Sequence, residues 1–290
     1  MHRYLRSIGF YHYFSSEYEI DQFLSDLFQT SSEQDTVPEG GKKRIFIERS
    51  ALFGPNMGIR VCGEMDEHGF HRLFYFPYLK GSTVTTTADL TIEKKVNGEN
   101  YCCQCDDSRV GISIIFYLQN PAQFRKKYIV GKKTSYEQGI TLTALADKGK
   151  ILIPGKKRVQ EPEAYIAENI RHDSLVAAAR EGSQEAIESL TMEDIDNYAM
   201  VTRRLLREDI LSIVDTYFMP YGMECEQYQI LGNIRFFAKV RNALSGQYIY
   251  QMSVECNGMS FDVCINEHDL VGEPEIGRRF KGNIWLQGSV

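Results

Sequence analysis

The residues best suited to chemistry lie in and around one polar stretch near the end of the chain. This stretch joins two runs of alternating apolar residues, 260–266 and 279–286. Gly272 and Gly277 permit tight backbone turns there, and the basic side chains offer fixed cationic donors. We therefore predict a surface that binds a protein or a small anionic ligand, and the alternative is a structural turn with surface ion pairs. The candidate binding residues are Asn266, His268, Asp269, Glu273, Arg278, Arg279 and Lys281.

Cys264 and His268 suggest a second chemistry, a cysteine nucleophile activated by an imidazole base. Asn266 or Asp269 could orient that imidazole. Cys264, however, falls on a predicted strand and His268 in the turn that follows it. We therefore favour the interpretation that Cys264 is an ordinary strand cysteine and His268 an ordinary loop histidine. The alternative is a hydrolase or transferase of unrecognised type that uses the Cys264/His268 pair.

Three cysteines crowd together at residues 102, 103 and 105. On a strand, Cys103 and Cys105 share one face and Cys102 points the other way. A zinc site would add a second cysteine pair or two histidines at suitable spacing, whereas the remaining cysteines stand alone in the sequence. We therefore predict buried thiols and expect neither a metal nor a cofactor.

Charge is segregated along the chain. Residues 40–160 carry 20 basic and 11 acidic side chains, whereas residues 161–224 carry 5 and 14. The basic region either packs against acidic elements and solubilises a sheet, or it binds an anionic partner. Nucleic-acid binding through residues 40–160 is a further alternative, but the overall net charge of −6 argues against it.

Composition and cysteine usage predict the compartment. The seven cysteines are an odd number in a long chain and form no small disulfide framework. No run of about 18 apolar residues occurs, which excludes a spanning helix. The first residues are interrupted by charged side chains and lack the apolar segment of a secretory signal. We expect a cytoplasmic protein without membrane contact.

The N-terminal part reads as one helix followed by strands. Ser16 and Glu19 have the spacing of a capping box, which predicts a helix to about Gln29. Residues 30–41 are polar and predict a loop. Residues 44–153 are β-rich, with hairpin turns expected at 66–69, 97–98 and 147–149 and a central strand at 111–118. Asn120 and Pro121 should begin a short helix.

The period changes to helical over residues 161–218, with a break at Gly182, a restart at Ser183 with Glu185 and another start at 191–194. Residues 219–222 stop the helices and mark the predicted domain boundary. Three consecutive strands then follow at 228–240, 248–256 and 259–266, with Asn257 and Gly258 as a two-residue hairpin turn. A fourth strand is expected at 279–288.

These elements predict an α+β fold: a mainly antiparallel sheet domain with a helical segment over residues 1–222, followed by a small C-terminal β-barrel domain over residues 223–290. Four or five short strands in about 65 residues are typical of a closed barrel of the oligonucleotide/oligosaccharide-binding type.

Three segments carry a resemblance to a known family: MHRYLRSIGF at 1–10, IVDTYFMPYG at 213–222 and GEPEIGRRFKGNIWLQG at 272–288. Together with the chain between them, they resemble the uncharacterised bacterial domain of unknown function family 3881. The resemblance implies a bacterial, cytoplasmic protein and supplies no activity, ligand or catalytic residue. The leading hypothesis is therefore a non-enzymatic binding module for a protein or a small anionic ligand.

Overall fold

The computed structural model describes residues 2–31, 33–38, 44–95, 100–131, 139–152, 162–205 and 214–290. The chain forms two compact units. The larger, which we call the β unit, combines Met1–Leu152 with Thr216–Val290, and the smaller, the helical unit, is Ile153–Asp215.

The β unit contains helices α1 (Glu17–Thr30) and α2 (Pro121–Phe124), the latter continuing as a π-helix (Arg125–Val130), and two 3₁₀ helices (Arg3–Ile8 and Glu267–Asp269). The helical unit contains α3 (Pro162–Arg180) and α4 (Gln184–Leu205). The strands are β1 (Glu33–Pro38), β2 (Ile45–Gly54), β3 (Met57–Asp66), β4 (Gly69–Leu79), β5 (Leu90–Lys94), β6 (Tyr101–Asp106), β7 (Ser113–Leu118), β8 (Thr141–Leu152), β9 (Tyr217–Pro220), β10 (Gln227–Arg241), β11 (Tyr248–Cys256), β12 (Met259–Asn266), β13 (Leu270–Val271) and β14 (Arg279–Ser289).

Helix α1 begins where the sequence predicts. The Ser16 hydroxyl accepts a hydrogen bond from the Glu19 N–H at 3.2 Å, and the Glu19 carboxylate accepts one from the Ser15 N–H at 2.8 Å. The loop predicted after it is wrong at residues 33–38, which form β1 paired with the edge of β2. This segment forms a strand because Val37 is buried in the core, while the polar residues of β1 stay accessible.

Strands β1 to β4 form an antiparallel sheet in sequential order, which we call the small sheet. The β3–β4 hairpin predicted at residues 66–69 is confirmed. Residues of α1 and of the first 3₁₀ helix share a hydrophobic core with this sheet, including Ile8, Leu24, Leu27, Ile59 and Val61. Both faces of β2 and β3 are largely buried.

The predicted barrel is confirmed. Strands β8, β12, β11, β10 and β14 follow one another in the sheet, and β14 pairs back onto β8 to close it. The Asn257–Gly258 turn between β11 and β12 has positive φ at both residues, as a tight hairpin requires. Strands β7, β6 and β5 extend the sheet outward from β14.

The hairpin predicted at residues 147–149 is wrong, because β8 runs unbroken from Thr141 to Leu152. Its turn-like residues lie at a β-bulge: Ala146 pairs with Ile284 and Lys148 with Asn283, which leaves Asp147 without a partner on β14. Gly149 is required by close packing, since a Cβ there would lie 2.5 Å from the Phe280 ring.

The division between units also differs from the boundary predicted at residue 222. The four long strands of residues 227–289 close into a barrel only with β8, which precedes the helical unit in the chain. A tail of four strands would leave two open edges, and β8 covers both of them. The β unit is therefore built from both ends of the chain.

In the helical unit, Gly182 separates α3 from α4 at φ +90°, as predicted. The start predicted at residues 191–194 is wrong, because Thr191 lies inside α4 and its hydroxyl donates to the Ile187 carbonyl at 2.7 Å. Arg171 and Glu193 form an ion pair that joins the two helices. Within the described residues, no helix is long and apolar enough to cross a membrane.

This topology makes a direct prediction about fragments. Residues 223–290 expressed alone lack β8, so we expect no cooperative thermal unfolding by circular dichroism and poor dispersion of amide NMR signals. A chain in which a flexible Gly/Ser linker of about 20 residues replaces residues 153–215 keeps β8 and should unfold cooperatively. A fragment 223–290 that folds by itself would restore the boundary at residue 222.

Candidate functional site

We call the polar stretch of residues 266–279, which joins β12 to β14, the C-terminal connection. Two of its polar residues hold the start of the chain in place. The Asn266 amide is buried and donates to the Arg6 carbonyl at 3.0 Å and to Gln247 Oε1 at 2.8 Å. The Asp269 carboxylate accepts two hydrogen bonds from the Arg6 guanidinium, one of them at 2.7 Å. Both residues thereby fix the N-terminal 3₁₀ helix against the barrel.

The other predicted site residues do not converge. The His268 ring stacks on Tyr11 with centroids 5.4 Å apart. Arg278 forms an ion pair with Glu275 at 2.6 Å and donates to the Glu273 carbonyl at 3.4 Å. Arg279 and Lys281 lie on β14, the first buried and the second half-buried. None of these residues lines either cavity described below, so a binding role for the connection stays a prediction.

Cys264 is poorly placed for catalysis. Its side chain is completely buried, and its thiol donates to the Ser7 carbonyl at 3.2 Å. Burial raises the pKa of this thiol well above its ordinary value, so it remains protonated at neutral pH. Cys103 and Cys105 are buried on one face of β6, as predicted. In the described part of the chain, no three His, Cys, Asp or Glu side chains are arranged to hold a metal.

A polar cleft with a volume of about 600 Å³ opens on the small sheet. We call it the Arg60 cleft, and its floor is formed by Glu48, Ser50, Arg60, Tyr78 and Gln119. Glu48, Ser50, Tyr78 and Gln119 are each at most 6% exposed. Buried polar groups are costly unless they are paired, so their concentration at the bottom of an open cleft marks it as the candidate functional site.

Strand register brings these side chains together. Ser50 on β2 lies opposite Arg60 on β3, and Glu48 is two residues before Ser50 on the same face. Tyr78 on β4 lies opposite Gly58, two residues before Arg60. A Cβ at Gly58 would lie 2.2 Å from the Ala51 carbonyl oxygen and 3.1 Å from the Tyr78 ring, so this position requires glycine. The Tyr78 ring lies 4.6 Å from the Arg60 guanidinium.

Arg60 and Glu48 form a buried ion pair. The Arg60 Nε lies 3.1 Å from Glu48 Oε1, and the other Glu48 oxygen accepts from the Ala122 N–H at 2.9 Å. Burial raises the pKa of Glu48, although the guanidinium opposes that shift. Burial alone would lower the pKa of Arg60, but Glu48 and the Tyr78 hydroxyl outweigh it and the pKa is raised. The guanidinium is therefore charged at neutral pH.

Two hydroxyl groups extend the polar floor toward β1. The Tyr78 hydroxyl interacts with Ser50 and Arg60, and burial raises its pKa, so it stays protonated at neutral pH. The Ser50 hydroxyl donates to Glu33 Oε2 at 2.8 Å. The floor is thus a continuous polar chain from Glu33 through Ser50, Tyr78 and Arg60 to Glu48.

Gln119 supports the floor from behind. Its side-chain amide nitrogen, Nε2, lies within hydrogen-bond distance of the Leu79 carbonyl (2.9 Å), Thr143 Oγ1 (2.8 Å) and Gln287 Oε1 (2.7 Å). An amide has two protons, so the three acceptors share them. The Gln119 backbone carbonyl accepts a hydrogen bond from the Arg60 guanidinium. This network connects the cleft to β4, β8 and β14, and it holds the arginine in one orientation.

A second cavity, of about 390 Å³, has an aromatic floor made of Tyr4, Tyr117 and Trp285, the only tryptophan. The Tyr4 and Trp285 rings are stacked with centroids 5.3 Å apart. His2 lies 4.9 Å from the tryptophan ring, and burial lowers the pKa of its imidazole to about 4. We call this the Trp285 cavity.

The fold and the cleft define a class of protein: a closed five-stranded barrel joined to a small sheet that carries a ligand-sized polar cleft. The chain belongs to the family described as "Domain of unknown function, E. rectale Gene description (DUF3881)", whose model matches residues 5–288. The resemblance found in the sequence is confirmed. No curated protein and no solved structure matches the chain.

The ion pair predicts an asymmetric pattern of stability. Arg60→Met leaves the Glu48 carboxylate buried and unpaired, which should lower the free energy of unfolding by about 3–5 kcal/mol in urea titrations. Replacing both residues (Glu48→Gln with Arg60→Met) should cost less than Arg60→Met alone. The matched control is Arg44→Met, which breaks the more exposed pair between Arg44, immediately before β2, and Glu64 on β3 and should cost less than about 1 kcal/mol. Equal losses for Arg60→Met and Arg44→Met would contradict the assignment.

The Trp285 cavity predicts a pH effect. The folded-state pKa of His2 lies below the ordinary value of 6.5, so folding favours the neutral imidazole, and stability falls as the pH drops from 6.5 toward 4. Each pKa unit is worth about 1.4 kcal/mol, and partial exposure of His2 reduces the effect to about 2 kcal/mol. The free energy of unfolding of the unmodified protein should therefore fall by about 2 kcal/mol relative to that of His2→Phe when the pH is lowered from 7 to 4.5. His12 is exposed and serves as the control. If the unmodified protein lost the same stability relative to His12→Phe over this pH range, the effect would not be specific to His2.

Proposed function

We propose that this protein is a non-enzymatic, cytoplasmic binding protein of bacteria and that its ligand is a small anionic molecule held in the Arg60 cleft. The observation that carries the proposal is the Arg60 guanidinium, charged and oriented by Glu48 and Gln119 at the floor of an open cleft. A preorganised guanidinium is well suited to bind a carboxylate or phosphate, because its planar donors match the geometry of such groups.

Arg60 has hydrogen-bonding capacity for a ligand. A guanidinium carries five N–H donors, and its partners here are Glu48, the Gln119 carbonyl and the Tyr78 hydroxyl. Lys80 and Lys127 line the same cleft and add positive charge to its wall. The cleft volume of about 600 Å³ lies in the range of small-molecule sites, roughly 300–1,000 Å³.

The other hypotheses have less support. The buried Cys264 thiol and the His268 ring stacked on Tyr11 disfavour a cysteine-dependent enzyme. For nucleic-acid binding, the net charge of −6 is unfavourable, and Arg125 is buried and packs over the Phe46 ring at 3.9 Å. The seven cysteines are free thiols, which supports a reducing compartment.

The proposal predicts ligand binding that depends on the guanidinium. A panel of small carboxylates and phosphates, screened by thermal shift and followed by calorimetry, should include at least one ligand that stabilises the protein. Arg60→Lys keeps the charge and loses the planar fork, so affinity for that ligand should fall about 10–100-fold, the value of one charge-assisted hydrogen bond. Circular dichroism would establish that the variant is folded.

Arg44→Lys, at the residue immediately before β2 and outside the cleft, is the matched control and should leave the affinity unchanged. A ligand whose affinity is insensitive to Arg60→Lys but lost on replacing Arg278 would move the site to the C-terminal connection. A complete panel without any stabilising compound would reject the anionic-ligand function.

A further inference from the structure

The Arg60 cleft has an acidic side as well as a basic one. Glu33 and Asp35 on β1 line it at one edge of the small sheet, whereas Lys80, immediately after β4, lines it at the opposite edge. Adjacent strands are about 4.8 Å apart, so the two edges of this four-stranded sheet are separated by roughly 14 Å. The acidic edge therefore favours a ligand that carries a cationic group in addition to the anionic group bound by the arginine.

The opposite charges come close together at the floor. The Ser50 hydroxyl donates to Glu33 Oε2 at 2.8 Å, and it also interacts with the Tyr78 hydroxyl, which contacts Arg60. The Glu33 carboxylate is therefore separated from the arginine by two hydroxyl groups. A ligand that spans this gap needs an anionic group and a cationic group only a few bonds apart.

An apolar area completes the cleft. Leu52 lies two residues after Ser50 on β2, hence on the same face, and its side chain is 52% exposed. Val84 lines the same cleft and is 58% exposed. Exposed aliphatic side chains beside convergent polar groups are typical of sites that bind an apolar ligand portion and orient it by its polar end.

We propose that the Arg60 cleft binds a free α-amino acid with an aliphatic side chain. This inference rests on the proposed function and names its ligand class. The α-carboxylate binds the Arg60 guanidinium and the Tyr78 hydroxyl, and the α-ammonium binds Glu33 and Asp35. The aliphatic side chain packs on Leu52 and Val84. The Glu48 carboxylate stays paired with Arg60 and takes no part in contact with the ligand.

Calorimetry with L-leucine and three analogues tests each contact. L-Leucine should bind at least tenfold more tightly than 4-methyl-2-oxopentanoate, which lacks the ammonium group, and than L-leucinamide, which lacks the carboxylate. Glycine, without a side chain to pack on Leu52, should also bind at least tenfold more weakly. The dipeptide leucyl-leucine carries its charges further apart and should bind more weakly than leucine.

Two variants locate the ammonium contact. Glu33→Gln should weaken L-leucine at least tenfold and should not weaken 4-methyl-2-oxopentanoate, because that compound has no positive charge for Glu33 to bind. Glu64→Gln, a carboxylate on β3 outside the cleft, should change neither. Tyr78→Phe, which removes one hydroxyl and keeps the ring, should weaken both compounds to the same extent.

The outcomes separate this inference from the proposed function. If leucine and its oxo acid bound equally well, and Arg60→Lys weakened the binding of both, the amino-acid assignment would be overturned. The proposed anion site in the cleft would remain. Leucine binding that Glu33→Gln and Tyr78→Phe leave intact would place the amino acid elsewhere and overturn the inference. Failure of leucine, isoleucine and valine to bind, while another acid of the panel binds through Arg60, would also overturn it.

Discussion

The structure around the candidate site depends on one buried interaction, the ion pair between Glu48 and Arg60. The pair joins β2 to β3. Glu48 also accepts a hydrogen bond from the Ala122 N–H in α2, and Arg60 donates one to the backbone carbonyl of Gln119, which follows β7. Desolvating two charges costs several kcal/mol per ion in real proteins, and a well-packed apolar pair of the same size is often no less stable. Stability alone is therefore a weak reason for placing this pair at the bottom of a cleft, and ligand recognition is a stronger one.

The barrel provides the rigid support that such a site needs. Gln119 follows β7 and connects the back of the cleft to Thr143 on β8 and Gln287 on β14. These two strands form the seam at which the barrel closes. A binding residue is held accurately only when its neighbours are fixed. The β8–β14 seam thus contributes to the fold and to the orientation of Arg60.

Local signals in the sequence predicted the elements that are determined locally. The Ser16 cap, the Asn257–Gly258 turn and the alternating strands of the barrel each depend on a few neighbouring residues, and each was found where expected. The pairing of β8 with β14 joins residues more than 120 positions apart. The motif that opens β8's second half, Asp147-Lys148-Gly149, resembles a turn because a bulge and a turn favour the same residue types.

The candidate site was missed for a related reason. Residues 44–153 were expected only to be rich in strands, whereas the strand register places Ser50 of β2 opposite Arg60 of β3, with Glu48 on the same face as Ser50. A charged residue within each of two neighbouring apolar strands, Glu48 and Arg60, was the available signal. The polar composition of the C-terminal connection suggested a binding surface, but Asn266 and Asp269 use their polar groups to hold the N-terminal 3₁₀ helix.

The most direct measurement is an NMR titration that follows the arginine side-chain Nε–Hε signals of the whole protein with L-leucine. If leucine binds in the Arg60 cleft, the Arg60 signal, identified by its absence in Arg60→Lys, shifts and saturates, while the signal of Arg44, immediately before β2, stays in place. Shifts confined to Arg278 and Arg279, or an unchanged spectrum at millimolar leucine, would contradict it.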